Sequence, residues 1–330
     1  MRACLRTYNI FTCYEYSKAD SEISQEKLKY QITLMSLLSN NNTYNEKSNQ
    51  RLFKLLSIDL NLAPDYVNKD MINEITCGDL DGEEFAFANL AASACGLDVY
   101  GNSGDKQFFY SHFLPCFKKL NVKPYIADPY YNNIKFPNGD NGDWTFETRL
   151  CKPYEAFVYD DPLILSDGRI IPRIGFFDTE YPYPAVLENG REWMTLMPNE
   201  TNTTIPAIVA AKGKVLTYGL GLGYFTYMAA IKHEVKSVTV VERSRSVIEL
   251  FKQFILPQFP DPSIIEIVES DAFDFAENRM QAGAYDSVFV DIWHDPSDGC
   301  DLYLRMKQYE HLLPNASFVY WVEDTLKLYI

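Results

Sequence analysis

From Lys214 to Tyr224 the chain reads KVLTYGLGLGY, and no other stretch constrains the fold as strongly. Val215 and Leu216 continue an apolar run that predicts a buried strand. Gly219, Gly221 and Gly223 follow, so every second residue of the turn lacks a Cβ. Tyr224, Met228 and Ile231 then recur at helical spacing. Strand, glycine turn, helix suits a nucleotide-like ligand, because glycine lets the backbone come close and a helix start offers N–H groups without intrahelical partners. A glycine turn alone is weak evidence, and the downstream sequence decides its meaning.

Downstream, strands and helices alternate. Residues 237–242 (SVTVVE) form a β-branched run ending in an acid. A helix follows, which Ser246 and Glu249 are expected to open as a capping box and Pro257 to end. Further strands are predicted at 264–268, 287–291 and 317–322, with helices at 272–281 and 301–312 between them. Alternating units of this length imply an α/β fold, a doubly wound parallel sheet whose ligands bind at the carboxyl ends of the strands.

Upstream, residues 1–137 read as a helical region. Helices are expected around the apolar stripe Leu28, Ile32, Met35 and Leu38, at 48–58, at 82–95 and at 106–120, with a loop at NNNTYN. His112 falls among aromatics and is expected to be a half-buried helix residue. Residues 138–205 read as a small antiparallel β-hairpin section, with strands at 145–148, 156–159, 169–177, 185–187 and 191–196. The proline-rich DTEYPYPAV is expected to be a loop that could cover the site, and 198–204 a linker to a helix starting near Pro206. The third part, 206–330, is the sheet domain.

Composition excludes several classes. With 47% hydrophobic and 15% aromatic residues the 330-residue chain builds a real core and is not disordered. A net charge of −15 repels phosphate backbones, so no nucleic acid partner is expected, whereas a cationic ligand is steered favourably. The seven cysteines, Cys4, Cys13, Cys77, Cys95, Cys116, Cys151 and Cys300, are scattered, and no C-x-x-C pair marks a metal site. No signal peptide and no membrane span is read, so a soluble, cytoplasmic protein is expected.

Four predicted strand ends carry chemistry. The glycine turn is the first. Glu242, 23 residues beyond Gly219, is placed to accept both hydroxyls of a ribose. Asp271, in ESDAF, is placed to accept from an adenine amino group, with Ala272 and Phe273 beside it. Asp291 closes the fourth strand, followed by Trp293, His294 and Asp295. A nicotinamide dehydrogenase shares the first two features, but its G-x-G-x-x-G register fails here, because Tyr224 fills the third slot.

VLTYGLGLGYF, VVER, ESDAF and YDSVFVD together resemble the class I S-adenosylmethionine-dependent methyltransferases. The preceding hairpins make the chain look closer to the spermidine-synthase-like branch. The resemblance covers roughly residues 140–322. It implies S-adenosylmethionine as cofactor, with Gly219, Gly221 and Gly223 bordering its amino acid part, Glu242 on the ribose, and Asp271 with Ala272 at the adenine. Three features depart from the pattern. Thr217 stands where an acid usually precedes the glycines. Asp291-Ile292-Trp293-His294 replaces the D-[ST]-[ST]-D run of aminopropyltransferases. After the fifth strand little chain remains, so a five-stranded sheet is expected, or one completed by another element or subunit.

Methyl or aminopropyl transfer needs a positioned nucleophile and a proton acceptor. Asp291 and His294 are the candidates, the histidine because it titrates near neutrality and an adjacent carboxylate raises its basicity. Trp293 is a candidate to face a cation. Glu200 and Glu323 read as surface or capping residues. The expected function is methyl transfer to a small, cationic acceptor. The alternatives are aminopropyl transfer from decarboxylated S-adenosylmethionine and a nucleoside-binding module without catalysis. The first 130 residues are expected to help bury the acceptor or to mediate homodimer contacts.

Overall fold

A computed structural model of the protein describes residues 44–62, 64–77, 82–136, 139–141, 143–294 and 296–330. The helix expected at 28–38, Cys4, Cys13 and Asp295 lie outside the described residues. The described cysteines are all thiols, and Cys116 and Cys151 are buried. No described helix is long and apolar enough to cross a membrane.

The amino-terminal helices are α1 (Tyr44–Leu62), α2 (Lys69–Thr76), α3 (Glu83–Ala94) and α4 (Ser103–Phe108). Leu52, Phe53, Ile72 and Phe87 bury into one core with Ile174 and Phe176, and the Phe87 and Phe176 rings stack 4.3 Å apart. The helix expected to run to residue 120 stops earlier. Beyond α4 the chain widens into a π turn, tightens over Leu114–Cys116 and becomes strand β1 (Phe117–Lys119). Pro115 cannot extend the helical ladder, and the Phe117 ring packs on Phe87 and Phe113 instead. Two short helices follow, α5 (Lys123–Ile126) and α6 (Pro129–Asn133).

The β section forms two sheets where one was expected. The strands are β2 (Gly139–Asn141), β3 (Trp144–Cys151), β4 (Phe157–Ile164), β5 (Ile170–Phe176), β6 (Tyr181–Glu188) and β7 (Arg191–Thr195). One sheet runs β2-β3-β6-β7 and the other β1-β5-β4. Since β1 pairs with β5 in parallel, the 1–137 and 138–205 stretches share a sheet. The segment expected as a loop, DTEYPYPAV, is largely strand β6. Its prolines sit opposite Leu150 and Thr148 of β3. The Pro184 carbonyl points the other way and accepts from Leu196 N, so the missing N–H of Pro184 also faces away from β3.

Helix α7 (Pro198–Ala210) replaces the expected linker. Proline at its first position is pre-set for a helix start, and Pro206 is carried inside. Hydroxyls of Thr203 and Thr204 donate to the Asn199 and Glu200 carbonyls one turn back.

The remaining chain alternates: β8 (Gly213–Tyr218), α8 (Tyr224–Ala230), β9 (Val235–Glu242), α9 (Arg245–Leu250), β10 (Ile265–Glu269), α10 (Ala272–Arg279), β11 (Ser287–Val290), α11 (Pro296–Lys307), β12 (Ser317–Tyr320) and α12 (Glu323–Leu326). Ser244, not Ser246, caps α9, accepting from Val247 N at 3.4 Å. The five strands run parallel in the order β10-β9-β8-β11-β12. This is the expected doubly wound, Rossmann-like fold with five strands. Chain order reverses between β8 and β11, and such a reversal opens a crevice at the carboxyl ends of the strands.

Candidate functional site

A cavity of about 280 Å³ lies over those strand ends, close to the lower limit of the roughly 300–1,000 Å³ usual for small-molecule sites. Its floor is made by the tips of neighbouring strands: Asp271 and Ala272 beyond β10, Glu242 at the end of β9, Gly219 and Gly221 beyond β8, and Asp291 beyond β11. The tips are tied to one another, with Gly219 N donating to the Val241 carbonyl, Asp291 N to Tyr218 and Trp321 N to Val290, each at 2.9 Å.

Gly219 has φ +95°, and a Cβ there would lie 2.0 Å from the Asp291 carbonyl oxygen. Only glycine allows this approach between the two strands that flank the crevice. At Gly221 a Cβ would lie 2.2 Å from the Met194 sulfur. Met194, at the end of β7, reaches into the turn, and its Sδ accepts from Leu222 N at 3.2 Å. Gly223 precedes α8 and does not line the cavity.

Apart from Gly221 N, the amides of the glycine turn are therefore spent inside the protein. Gly219 N goes to Val241, Leu220 N to Glu242 Oε2 at 3.1 Å, Leu222 N to Met194, and Gly223 N to the Leu220 carbonyl. A pyrophosphate held by such a turn needs those donors, so this geometry, like the glycine register, argues against a dinucleotide.

Glu242 holds its position through both oxygens, Oε1 accepting from Ser244 N at 2.8 Å and Oε2 from Leu220 N. Each oxygen keeps a second lone-pair direction. Burial raises its carboxyl above the ordinary range, opposed by these backbone bonds and by Arg243. Asp271 caps α10: its Oδ1 accepts from Phe273 N at 2.8 Å and Asp274 N at 3.2 Å, and Oδ2 is left to meet a ligand. Beside it the Arg305 guanidinium lies 3.7 Å over the Phe273 ring, and both line the cavity. A flat cation on an aromatic face makes a platform on which a nucleobase can stack.

The rest of the lining is largely aromatic and acidic. Trp193, Trp293 and Trp321 belong to it together with Glu200. Glu200 belongs to the first turn of α7 and is only 5% exposed, so it is not the surface residue expected of it. The Trp321 indole N–H donates to Thr203 Oγ1 at 2.8 Å, tying β12 to the same helix. Residue type alone does not single out Glu200, Trp193 or Trp321. They reach the cavity from β7, from α7 and from the residue after β12.

His294 is not among the residues that line the cavity. Its ring is buried edge-on against Trp193 at 5.0 Å, and Nε2 donates to the Glu192 carbonyl at 3.1 Å. That carbonyl only accepts, so Nε2 carries the proton. The backbone N of His294 is bound by the Asp298 carboxylate. The structure thus brings Glu242, Asp271, Ala272, Gly219, Gly221 and Asp291 to one cavity and leaves His294 in its supporting wall. His112 is a buried helix residue stacked on Phe108, and burial lowers its pKa. Glu323 accepts from Tyr303 Oη at 2.7 Å, away from the cavity. Among the described residues no cluster of His, Cys, Asp and Glu could hold a metal ion.

No protein-family model and no curated protein matches the chain. Solved structures do. Spermidine synthase from Thermotoga maritima matches at 18% identity and TM-score 0.33, over 44% of this chain and 53% of that one. A candidate O-methyltransferase from Klebsiella pneumoniae matches at 17% identity and TM-score 0.26, over 32% and 46%. The precorrin 8w decarboxylase of Methanobacterium thermoautotrophicum matches at 16% identity and TM-score 0.29, over 37% and 62%. The chain thus spans about half to three fifths of the length of these structures. The likeness is one of fold alone.

Proposed function

We propose that the cavity binds S-adenosylmethionine and that the protein transfers its methyl group to a small cationic acceptor. The supporting observation is the line of strand tips: a base platform at Asp271, Phe273 and Arg305, a ribose acceptor at Glu242, the glycine turn, and then Asp291 beside an indole-lined wall. Their order along the floor matches adenine, ribose, sulfonium and acceptor. When bound, the sulfonium supplies a methyl carbon open to in-line attack. Glu200 and the indole faces of Trp193, Trp293 and Trp321 attract and orient a cationic acceptor. Asp291 accepts the proton that the attacking nitrogen or oxygen loses. His294 keeps the loop after β11 braced against β7.

One observation favours aminopropyl transfer as a second reading. The cavity's guanidinium groups are Arg243, next to Glu242, and Arg305, over Phe273, whereas Glu200 and Asp291 are carboxylates. With the amides of Gly219, Leu220, Leu222 and Gly223 engaged as well, a methionine carboxylate over the glycine turn meets few donors beyond Gly221 N. Calorimetric titration with S-adenosylmethionine and with its decarboxylated form decides between the two. Tighter binding of the carboxylated form supports methyl transfer, and tighter binding of the decarboxylated form supports aminopropyl transfer. Binding of neither overturns the cofactor assignment.

A further inference from the structure

We infer that Tyr130, on the far side of the glycine turn from the cavity-lining Met194, is a positioning residue that sets the turn's ligand-binding shape. Leu222 is gripped on both of its peptide groups. Its N–H donates to Met194 Sδ from β7, and its carbonyl accepts from the Tyr130 hydroxyl of α6. Tyr130 is fully buried, and burial pushes its phenol pKa up, so it stays a donor at any working pH.

Helix α6 is itself held. Asp128 caps it, with Oδ1 accepting from Tyr130 N and Tyr131 N, while Oδ2 accepts from the Tyr224 hydroxyl at 3.1 Å. The Tyr131 hydroxyl reaches the Pro182 carbonyl of β6 at 2.7 Å, and Gln258 exchanges two hydrogen bonds with the Lys135 backbone. One short helix thus joins the β2-β3-β6-β7 sheet to the turn at the heart of the site. Without the phenol hydroxyl the buried Leu222 carbonyl loses its acceptor bond, and the turn between Gly221 and Gly223 is held from one side only. The consequence for the ligand rests on the nucleoside reading above; the grip itself does not.

The test uses Tyr130→Phe and Tyr227→Phe in the full chain. Tyr227, on α8, packs its ring on Tyr130 and accepts from Asn133 Nδ2 at 2.9 Å; its backbone N meets the Gly223 carbonyl, but its hydroxyl makes no bond to the turn. In hydrogen exchange, Tyr130→Phe is expected to speed the Leu222 and Gly223 amides by about tenfold or more, whereas Tyr227→Phe leaves them unchanged. Unchanged exchange in Tyr130→Phe, or equal acceleration in both variants, overturns the proposal. In calorimetry, Tyr130→Phe is expected to weaken S-adenosylmethionine about tenfold and adenosine little, since adenosine lacks the part that lies over the turn. Equal weakening of both ligands overturns the positioning role. If the unaltered protein binds neither ligand, the nucleoside reading falls, and exchange alone decides the grip.

Discussion

Gly219 and Asp291 touch: the Cα of one faces the carbonyl oxygen of the other so closely that a Cβ would lie 2.0 Å away. They directly follow β8 and β11, the strands between which chain order reverses. A ligand lying on Gly219 therefore lies beside Asp291, and glycine turn and acid form one unit.

Gly219→Ala is expected to disrupt both. The alanine would meet the left-handed penalty of roughly 1–2 kcal/mol and would also displace the Asp291 carbonyl. Gly283 provides the comparison, since it has φ +78° with nothing within 4 Å of a built Cβ. Thermal unfolding should show Gly219→Ala clearly more destabilised than Gly283→Ala, with nucleoside binding lost only in the former. Equal losses would mean that the approach to Asp291 is unimportant.

Glu242 predicts the acid limb of binding. Burial raises its carboxyl above the ordinary range, and in the proposed site its ionised form is the one that accepts the ribose hydroxyls. As pH falls through this raised value the carboxylate is lost, and affinity should drop about tenfold per pH unit. Glu242→Gln should bind weakly and show no such limb. Titration across pH 4–8 checks this, and a wild-type affinity that stays flat to pH 4 would remove Glu242 from the ribose.

Much of this was legible before any coordinates. Glu242 and Asp271 end predicted strands, and period and position settle which way such ends face. Glu200 and Tyr130 were not legible. Glu200 matters because α7 starts at Pro198, within a Thr- and Asn-rich stretch that reads as linker, and reaches the cavity. Tyr130 matters because a five-residue helix docks on a loop 92 residues later, and local pattern does not encode such a contact. His294 shows the converse. Its distance along the chain from Asp291 was right, but the backbone turns its ring under Trp193.

Asp291→Asn tests the proton acceptor. Turnover should fall by about 10²–10⁴-fold with nucleoside affinity little changed, because the side chain acts only on the acceptor's proton. Glu200→Gln should instead raise the acceptor's KM at nearly constant kcat, as expected for a group that binds the cation before and during transfer. Steady-state kinetics on the two variants separates these roles. Equal kcat losses in both would assign proton transfer to the pair.

The last helix supplies a stability prediction independent of any ligand. Asp161, on β4, accepts from the Thr325 hydroxyl of α12. Burial raises its carboxyl to about 6, aided by Asp160 and Asp324 and opposed by the Thr325 bond and Arg173. In the unfolded chain an aspartate titrates near 3.9. The fold thus favours the protonated form. Asp161 contributes stability below about pH 4, which is lost as pH rises through about 6, where ionisation costs on the order of 3 kcal/mol. Asp161→Asn keeps an acceptor for Thr325 and cannot ionise. The variant should exceed the wild type in urea unfolding at pH 8, and the gap should shrink towards pH 4. A gap of the same size at both ends would mean that Asp161 does not titrate in the folded protein between those values.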